Sequence, residues 1–141
     1  MGAQGVERRR AVELEAVVDG SPVVLGDADR LLQVASNLVE NALRLTPPGG
    51  RVRVIAEPGL LAVEDTGPGL QPEDLPHAFE RFYLHDRYGR ERPVGTGLGL
   101  AIVRELASGM GGTVSATSDP GRATRFELRL PSAPRPVLQP A

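Results

Sequence analysis

The stretch SNLVENALRLTP, residues 36–47, reads as the second half of a helix, yet it carries Asn37, Glu40 and Asn41 in the helix interior. Asn is a mediocre helix former because its side-chain amide competes for backbone hydrogen bonds. Asp27 suits an N-cap and Pro47-Pro48 a stop, so the pattern predicts a helix over 28–45. On a wheel of about 100° per residue, Gln33, Asn37, Glu40, Asn41 and Arg44 fall on one narrow stripe. Leu31, Leu32, Val34, Ala35, Leu38, Val39, Ala42, Leu43 and Leu45 cover the rest. The expectation is a helix packed nearly all round, with one polar seam. A solvated face accounts for such a seam too, although solvated faces favour Lys, Arg, Glu and Gln, which cost little helix propensity. Two amides and a carboxylate are also a donor set for a hard cation such as Mg2+. Arg44, one turn further, suits a phosphate.

On either side of this helix the chain alternates. RVRVIAE (51–57) reads as a strand, and Pro58-Gly59 turns it into LLAVED (60–65). AVELEAVV (11–18) reads as a strand and VVL (23–25) as a short one. TVSATS (113–118) and TRFELRL (124–130) form a pair joined by Asp119-Pro120-Gly121. LGLAIVRELAS (98–108) is a second strong helix, closed by Gly109, Gly111 and Gly112. Residues 72–81 predict a short helix, with Pro72 in its first turn. Residues 84–97 are charged, Gly/Pro-punctuated and aperiodic, and read as a mobile loop. Hairpin links make antiparallel pairs, so a doubly wound parallel sheet is excluded. The fold class expected is α/β (α+β): a two-layer sandwich with a mixed sheet and its helices on one face.

The 141 residues suit one domain. Residues 1–10 read as a linker or expression remnant, 11–131 as the domain, and 132–141 as a Pro-rich disordered tail. The net charge of −2 gives no bulk attraction to nucleic acid or anionic membranes. With no cysteine, a disulfide framework and a Cys-ligated metal are excluded. All 16 basic residues are Arg, which excludes a P-loop lysine or a Schiff base. No apolar run reaches the ~18 residues of a membrane helix. The start, MGAQGVERRR, lacks the apolar region of a signal peptide, and Val6 spoils a myristoylation motif. A cytoplasmic location is expected, as a free protein or as the cytoplasmic piece of a larger, membrane-bound one, and the isolated domain is expected to be a monomer.

Two glycine-rich stretches follow. DTGPG (65–69) ends a strand and also fits an ordinary turn. GTGLGL (95–100) leads directly into a helix, where glycines admit close backbone approach and the helix start offers N–H groups to phosphate. A plain turn before a helix remains the alternative. The stretch is neither a dinucleotide fingerprint, since Leu100 stands at the third glycine position, nor a P-loop, since no Gly-Lys-Ser/Thr follows. FERFY (79–83) concentrates three aromatics in a chain only 4% aromatic and also suits a core plug.

In this order the elements resemble the ATP-binding catalytic domain of sensor histidine kinases, in the gyrase/Hsp90/histidine kinase/MutL ATPase superfamily. Asn37-Leu-Val-Glu-Asn41-Ala is similar to its N box. Asp65-Thr-Gly67-Pro-Gly69 is similar to its first glycine box, Phe79-Glu-Arg-Phe82-Tyr to its F box, and Gly95-Thr96-Gly97-Leu98-Gly99-Leu to its second glycine box. The resemblance implies a Bergerat-type mixed five-stranded sheet with about three helices on one face and a flexible ATP lid at 84–95. It implies ATP and Mg2+ as cofactors. By this resemblance Asn41 would coordinate the metal with Asn37 beside it, Glu40 would be the acid/base or water-orienting carboxylate, and Arg44 would contact phosphate. Asp65 would accept from the adenine amine, with Gly67 and Gly69 beside the purine. Gly95, Thr96, Gly97, Leu98 and Gly99 would cradle phosphates, and Thr124 would join the nucleotide contacts.

The departures are Arg44-Leu45 where the family usually has Lys-Tyr, and Leu84 where a basic residue is frequent. Arg81, Arg90 or Arg92 are the candidates to replace that base. Gly121-Arg-Ala123-Thr124-Arg-Phe126 departs from the last glycine box and suits a structural turn. Neither His77 nor His85 stands in the His-Glu-x-x-x-Pro context of an acceptor, so neither is given a role. The reaction implied is γ-phosphoryl transfer to a histidine on a separate dimerisation and phosphotransfer domain, with a response regulator as the indirect partner and ADP as product. A freestanding anti-sigma-factor-type serine kinase is the competing reading, against which FERFY and the long lid stand. A degenerate nucleotide-binding module is a third, against which the intact Asn37, Glu40, Asn41 and Asp65 stand.

Overall fold

The computed structural model describes residues 11–18, 27–90, 92, 95–120 and 122–131. The expected strand at 23–25, the linker and the tail lie outside them. The elements are β1 (Glu13–Val18), α1 (Ala28–Leu45), β2 (Arg51–Glu57), β3 (Leu60–Asp65), a 3-10 helix (Pro72–His77), α2 (Tyr83–Tyr88), α3 (Gly99–Gly109), β4 (Thr113–Asp119) and β5 (Ala123–Arg129). Five strands make one mixed sheet in the order β1-β2-β3-β5-β4, with β1 parallel to β2 and the other pairs antiparallel. The two-layer α/β sandwich expected from the alternation is the architecture observed.

Local chemistry starts and stops α1. The Asp27 carboxylate accepts from the Arg30 amide at 3.1 Å, and the Thr46 amide donates to the Ala42 carbonyl before Pro47 ends the turn. Val34, Leu38, Ala42 and Leu45 form its buried stripe. The expectation of packing nearly all round is corrected here: Leu32 is 68% exposed and Leu43 39%. A helix lying on a sheet has one supported side, so apolar residues on its far side stay in water.

Val52, Val63, Phe126 and Leu128 point from the sheet into the core with Val34, Leu38 and Val103. Phe79 meets Phe126 edge-to-face at 5.6 Å, so the first F-box aromatic does plug the core. The opposite sheet face carries a small apolar cluster of Ile55, Leu60 and Ala62 beside a set of ion pairs. Arg53 spans Glu15 and Glu64 at 3.6 and 3.9 Å, and Arg125 reaches Glu64 at 3.6 Å.

Two expectations change. The short helix at 72–81 is a 3-10 helix ending at His77, because Pro76 lacks an N–H and cannot extend an α-helix. The loop expected over 84–97 contains most of α2. Its single turn and a half is too short to show a period, and it is held by tertiary contacts. Asp74, fully buried, accepts from the Tyr83 hydroxyl at 2.7 Å, the Tyr88 hydroxyl, and Arg87 Nε at 3.2 Å. Among the described residues no helix is long and apolar enough to cross a membrane.

Candidate active site

The polar seam of α1 faces the start of α3 across a cavity of about 420 Å³. Asn37, Glu40, Asn41 and Arg44 line one wall, and Gly95, Thr96, Gly97, Leu98 and Gly99 the other. The helix period places the first four on one line, and the packing of α3 beside α1 turns that line into a wall. Asn37 Nδ2 donates to the Gly99 carbonyl at 3.3 Å, joining the two helices. A methyl group on Gly95 would lie 2.6 Å from Arg44 Nη1, so only a glycine lets the guanidinium come this close. The Asn41 amide nitrogen is buried with no partner among the described residues. Such a donor costs free energy until an acceptor meets it.

Alternate residues of the glycine stretch engage α2. Gly97 has φ +87°, and a methyl there would sit 2.7 Å from Phe82 Cα. The Phe82 amide donates to the Gly97 carbonyl at 2.8 Å. Phe82 itself has φ +65°, a left-handed conformation that costs a non-glycine residue on the order of 1–3 kcal/mol.

Asp65, Gly67, Gly69 and Thr124 do not line this cavity; they form a second cluster at the end of β3 and β5. Asp65 and Thr124 are register partners and both are buried. The Gly67 amide donates to Asp65 Oδ1 at 2.8 Å, while Oδ2 is buried without a partner among the described residues. Burial pushes the Asp65 carboxyl up to about 6, against the pull of the Gly67 amide and the Arg92 charge. Gly69 has φ +74°, and a methyl on it would lie 2.8 Å from the Asp119 carbonyl and from Ser118 Oγ. The two clusters are neighbours. A methyl on Gly67 would meet the Leu45 carbonyl at 2.9 Å, one residue past Arg44. Arg92 joins α2 to the second cluster: its guanidinium stacks 3.9 Å over the Tyr88 ring and donates to the Gly69 carbonyl.

Of the arginines offered as replacements for a base at Leu84, none lines the cavity among its described walls. Arg92 is engaged with Tyr88 and Gly69, and Arg81 lies 6.0 Å from the Phe82 ring. Sequence reasoning missed Glu80, Leu84 and His85, which do line it. The available signal was position, since all three fall in or just after the F box. An aperiodic stretch, however, says nothing about which way its side chains turn.

A family profile described as "Histidine kinase-, DNA gyrase B-, and HSP90-like ATPase" matches residues 26–134. The chain belongs to this family. It is 44% identical over 135 residues to the sensor protein DivL of Caulobacter vibrioides, covering 92% of this chain and 16% of that protein. Full-length ShkA, solved in complex with AMPPNP, is similar with a TM-score of 0.73 and 31% identity over 93% of this chain and 28% of that one. The mycobacterial sensor histidine kinase MprB is similar with a TM-score of 0.67 and 32% identity, covering 93% of this chain and 91% of that one. The chain spans less than a fifth of the length of the curated relatives it matches.

Proposed function

We propose that this chain is the ATP-binding catalytic domain of a sensor histidine kinase. In this reading it takes Mg–ATP and passes the γ-phosphoryl group to a histidine on a separate dimerisation and phosphotransfer domain. A response regulator receives the group afterwards, and the domain works in the cytoplasm as a monomeric unit. One observation carries the reading: the Asn37–Arg44 seam of α1 faces the Gly95–Gly99 backbone across a single cavity. The similarity to sensor kinases favours a histidine acceptor over a serine one.

Phosphoryl transfer asks a protein for positioning and charge neutralisation more than for covalent chemistry. Backbone N–H groups over Gly95–Gly99 and the Arg44 guanidinium hold the phosphates. Asn41 gives its unpartnered amide hydrogen to a phosphate oxygen, which leaves its carbonyl oxygen, with that of Asn37, for a cation. No group of three His, Cys, Asp or Glu side chains that could cage a metal occurs among the described residues. Amide oxygens are hard donors that suit Mg2+, a cation that would keep most of its waters there. An ion held by the Asn41 and Asn37 amide oxygens would supply positive charge against that of the phosphates. Glu40, exposed at the cavity, takes or orients the proton of the acceptor imidazole. Asp65 accepts the adenine amine on its unpartnered oxygen, and Gly67, Gly69 and Thr124 surround the purine.

Calorimetry with and without Mg2+ tests the metal assignment. Asn41→Ala should abolish the Mg-dependent part of ATP affinity, and an unchanged Mg dependence sinks the role given to Asn41.

A further inference from the structure

Two cavity-lining side chains can carry positive charge, Arg44 and His85, and two carry negative charge, Glu40 and Glu80. Arg44 and His85 converge on one residue. A methyl on Gly95 would lie 2.6 Å from Arg44 Nη1, and His85 Nδ1 stands 3.1 Å from the Gly95 carbonyl oxygen. A carbonyl only accepts, so Nδ1 carries a hydrogen and donates. That leaves Nε2 as the second site of the ring, a donor once protonated.

The neighbouring residue cannot share this task. Leu84 is buried, 7% exposed, and brings no polar group to the wall. Of the candidate arginines, Arg81, Arg90 and Arg92 do not line the described cavity, and Arg92 already donates to the Gly69 carbonyl. Without His85 the described lining holds two carboxylates against one guanidinium, a net negative wall. A nucleotide adds the negative charge of its own phosphates. Glu40 and Arg44 face His85 from α1 and Glu80 from the segment before α2, while Gly99, Leu100 and Ile102 of α3 bring no charge.

We propose that His85 binds the terminal phosphate of the nucleotide as an imidazolium, with Nδ1–H held by the Gly95 carbonyl and Nε2–H donating to the phosphate. His85 thereby sets the preference for a nucleoside triphosphate over a diphosphate. This rests on the nucleotide-binding reading above.

The test is calorimetry of Mg–ATP and Mg–ADP binding to the wild type and to His85→Ala, His85→Gln and His85→Arg. The imidazole is exposed, so all four proteins should share one thermal midpoint. Loss of a charge-assisted hydrogen bond should weaken ATP binding about tenfold or more in His85→Ala and His85→Gln. ADP binding should change by less than about threefold, because the lost partner is the terminal phosphate. His85→Arg should restore the ATP preference. Equal weakening of ATP and ADP, or a wild-type ATP/ADP ratio in His85→Gln, overturns the proposal and reduces His85 to a tether for Gly95. A wild type that binds neither nucleotide overturns the parent reading together with this one.

Discussion

At the end of β3, the Asp65 carboxylate has 2% of its surface exposed, one oxygen bonded to the Gly67 amide and the other without a partner among the described residues. Its carboxyl, raised from 3.8 to about 6 chiefly by burial, keeps its proton to a higher pH in the folded chain than in the unfolded one. Its contribution to stability is therefore fully present below pH 3.8 and is lost as pH rises to about 6. The cost of ionisation is at most about 3 kcal/mol, from a shift of about two units. Asp65→Asn keeps the oxygen that meets Gly67 and removes the charge. It should raise the melting temperature at pH 8, and the gain should vanish near pH 4. The same variant should lose its preference for ATP over GTP, since the amide nitrogen then stands where the unpartnered oxygen was and meets the adenine amine with a second donor. A melting temperature that does not rise at pH 8 overturns the burial argument; a retained ATP preference overturns the adenine role.

Among the elements, α2 depends most on its neighbours. Six residues are too few for helix propensity to hold a helix alone. Burial favours the neutral Asp74 carboxyl, but the hydroxyls of Tyr88 and Tyr83 and the Arg87 charge outweigh it and hold the group below its ordinary value. Stability from Asp74 is thus present above that ordinary value and falls away as acid protonates the carboxylate. Asp74→Ala would leave two hydroxyls and a guanidinium without their acceptor. It should cost about 2–4 kcal/mol, with the half-exposed Arg87 contributing least. Amide hydrogen exchange over 83–88 should rise more than over α1 or α3. Uniform exchange would mean that Asp74 supports the whole domain and not this helix. The same contacts explain why the sequence pattern missed α2: its support comes from Asp74 in the preceding 3-10 helix and from Gly97 after it, not from its own periodicity.

Over the molecule as a whole, the helices cover one face of the sheet, and the other carries ion pairs beside a small apolar cluster of Ile55, Leu60 and Ala62. Partly exposed pairs such as Arg53–Glu15 and Arg125–Glu64 add little stability. The site opens at the sheet end where β3 and α1 finish, and in the proposed reading the acceptor histidine belongs to another domain. Supplied with an acceptor-helix fragment and labelled ATP, the domain should yield acid-labile phosphohistidine. Glu40→Gln should slow the transfer about 10²–10⁴-fold with ATP affinity kept. Acid-stable phosphoserine, or transfer unaffected by Glu40→Gln, would overturn the acceptor or the base respectively.

Local chemistry read along the chain was enough for much of this protein. The Asp27 cap and Pro47 stop bounded α1, the alternation of 51–65 and 113–130 made two hairpins, and the 3.6-residue period put Asn37, Glu40, Asn41 and Arg44 on one line. These features were legible because their causes lie within a few residues. Other features have partners far apart in the chain, and no local pattern names a distant partner. The antiparallel union of β3 with β5, the burial that shifts Asp65, the Asp74 hub under α2 and the meeting of Arg44 and His85 at Gly95 all belong to this kind. Whether the asparagine seam was a wet surface or a cavity wall turned on one such contact, the docking of Gly99 against Asn37. That contact exists because both helices must bury their apolar stripes on the same side of one sheet.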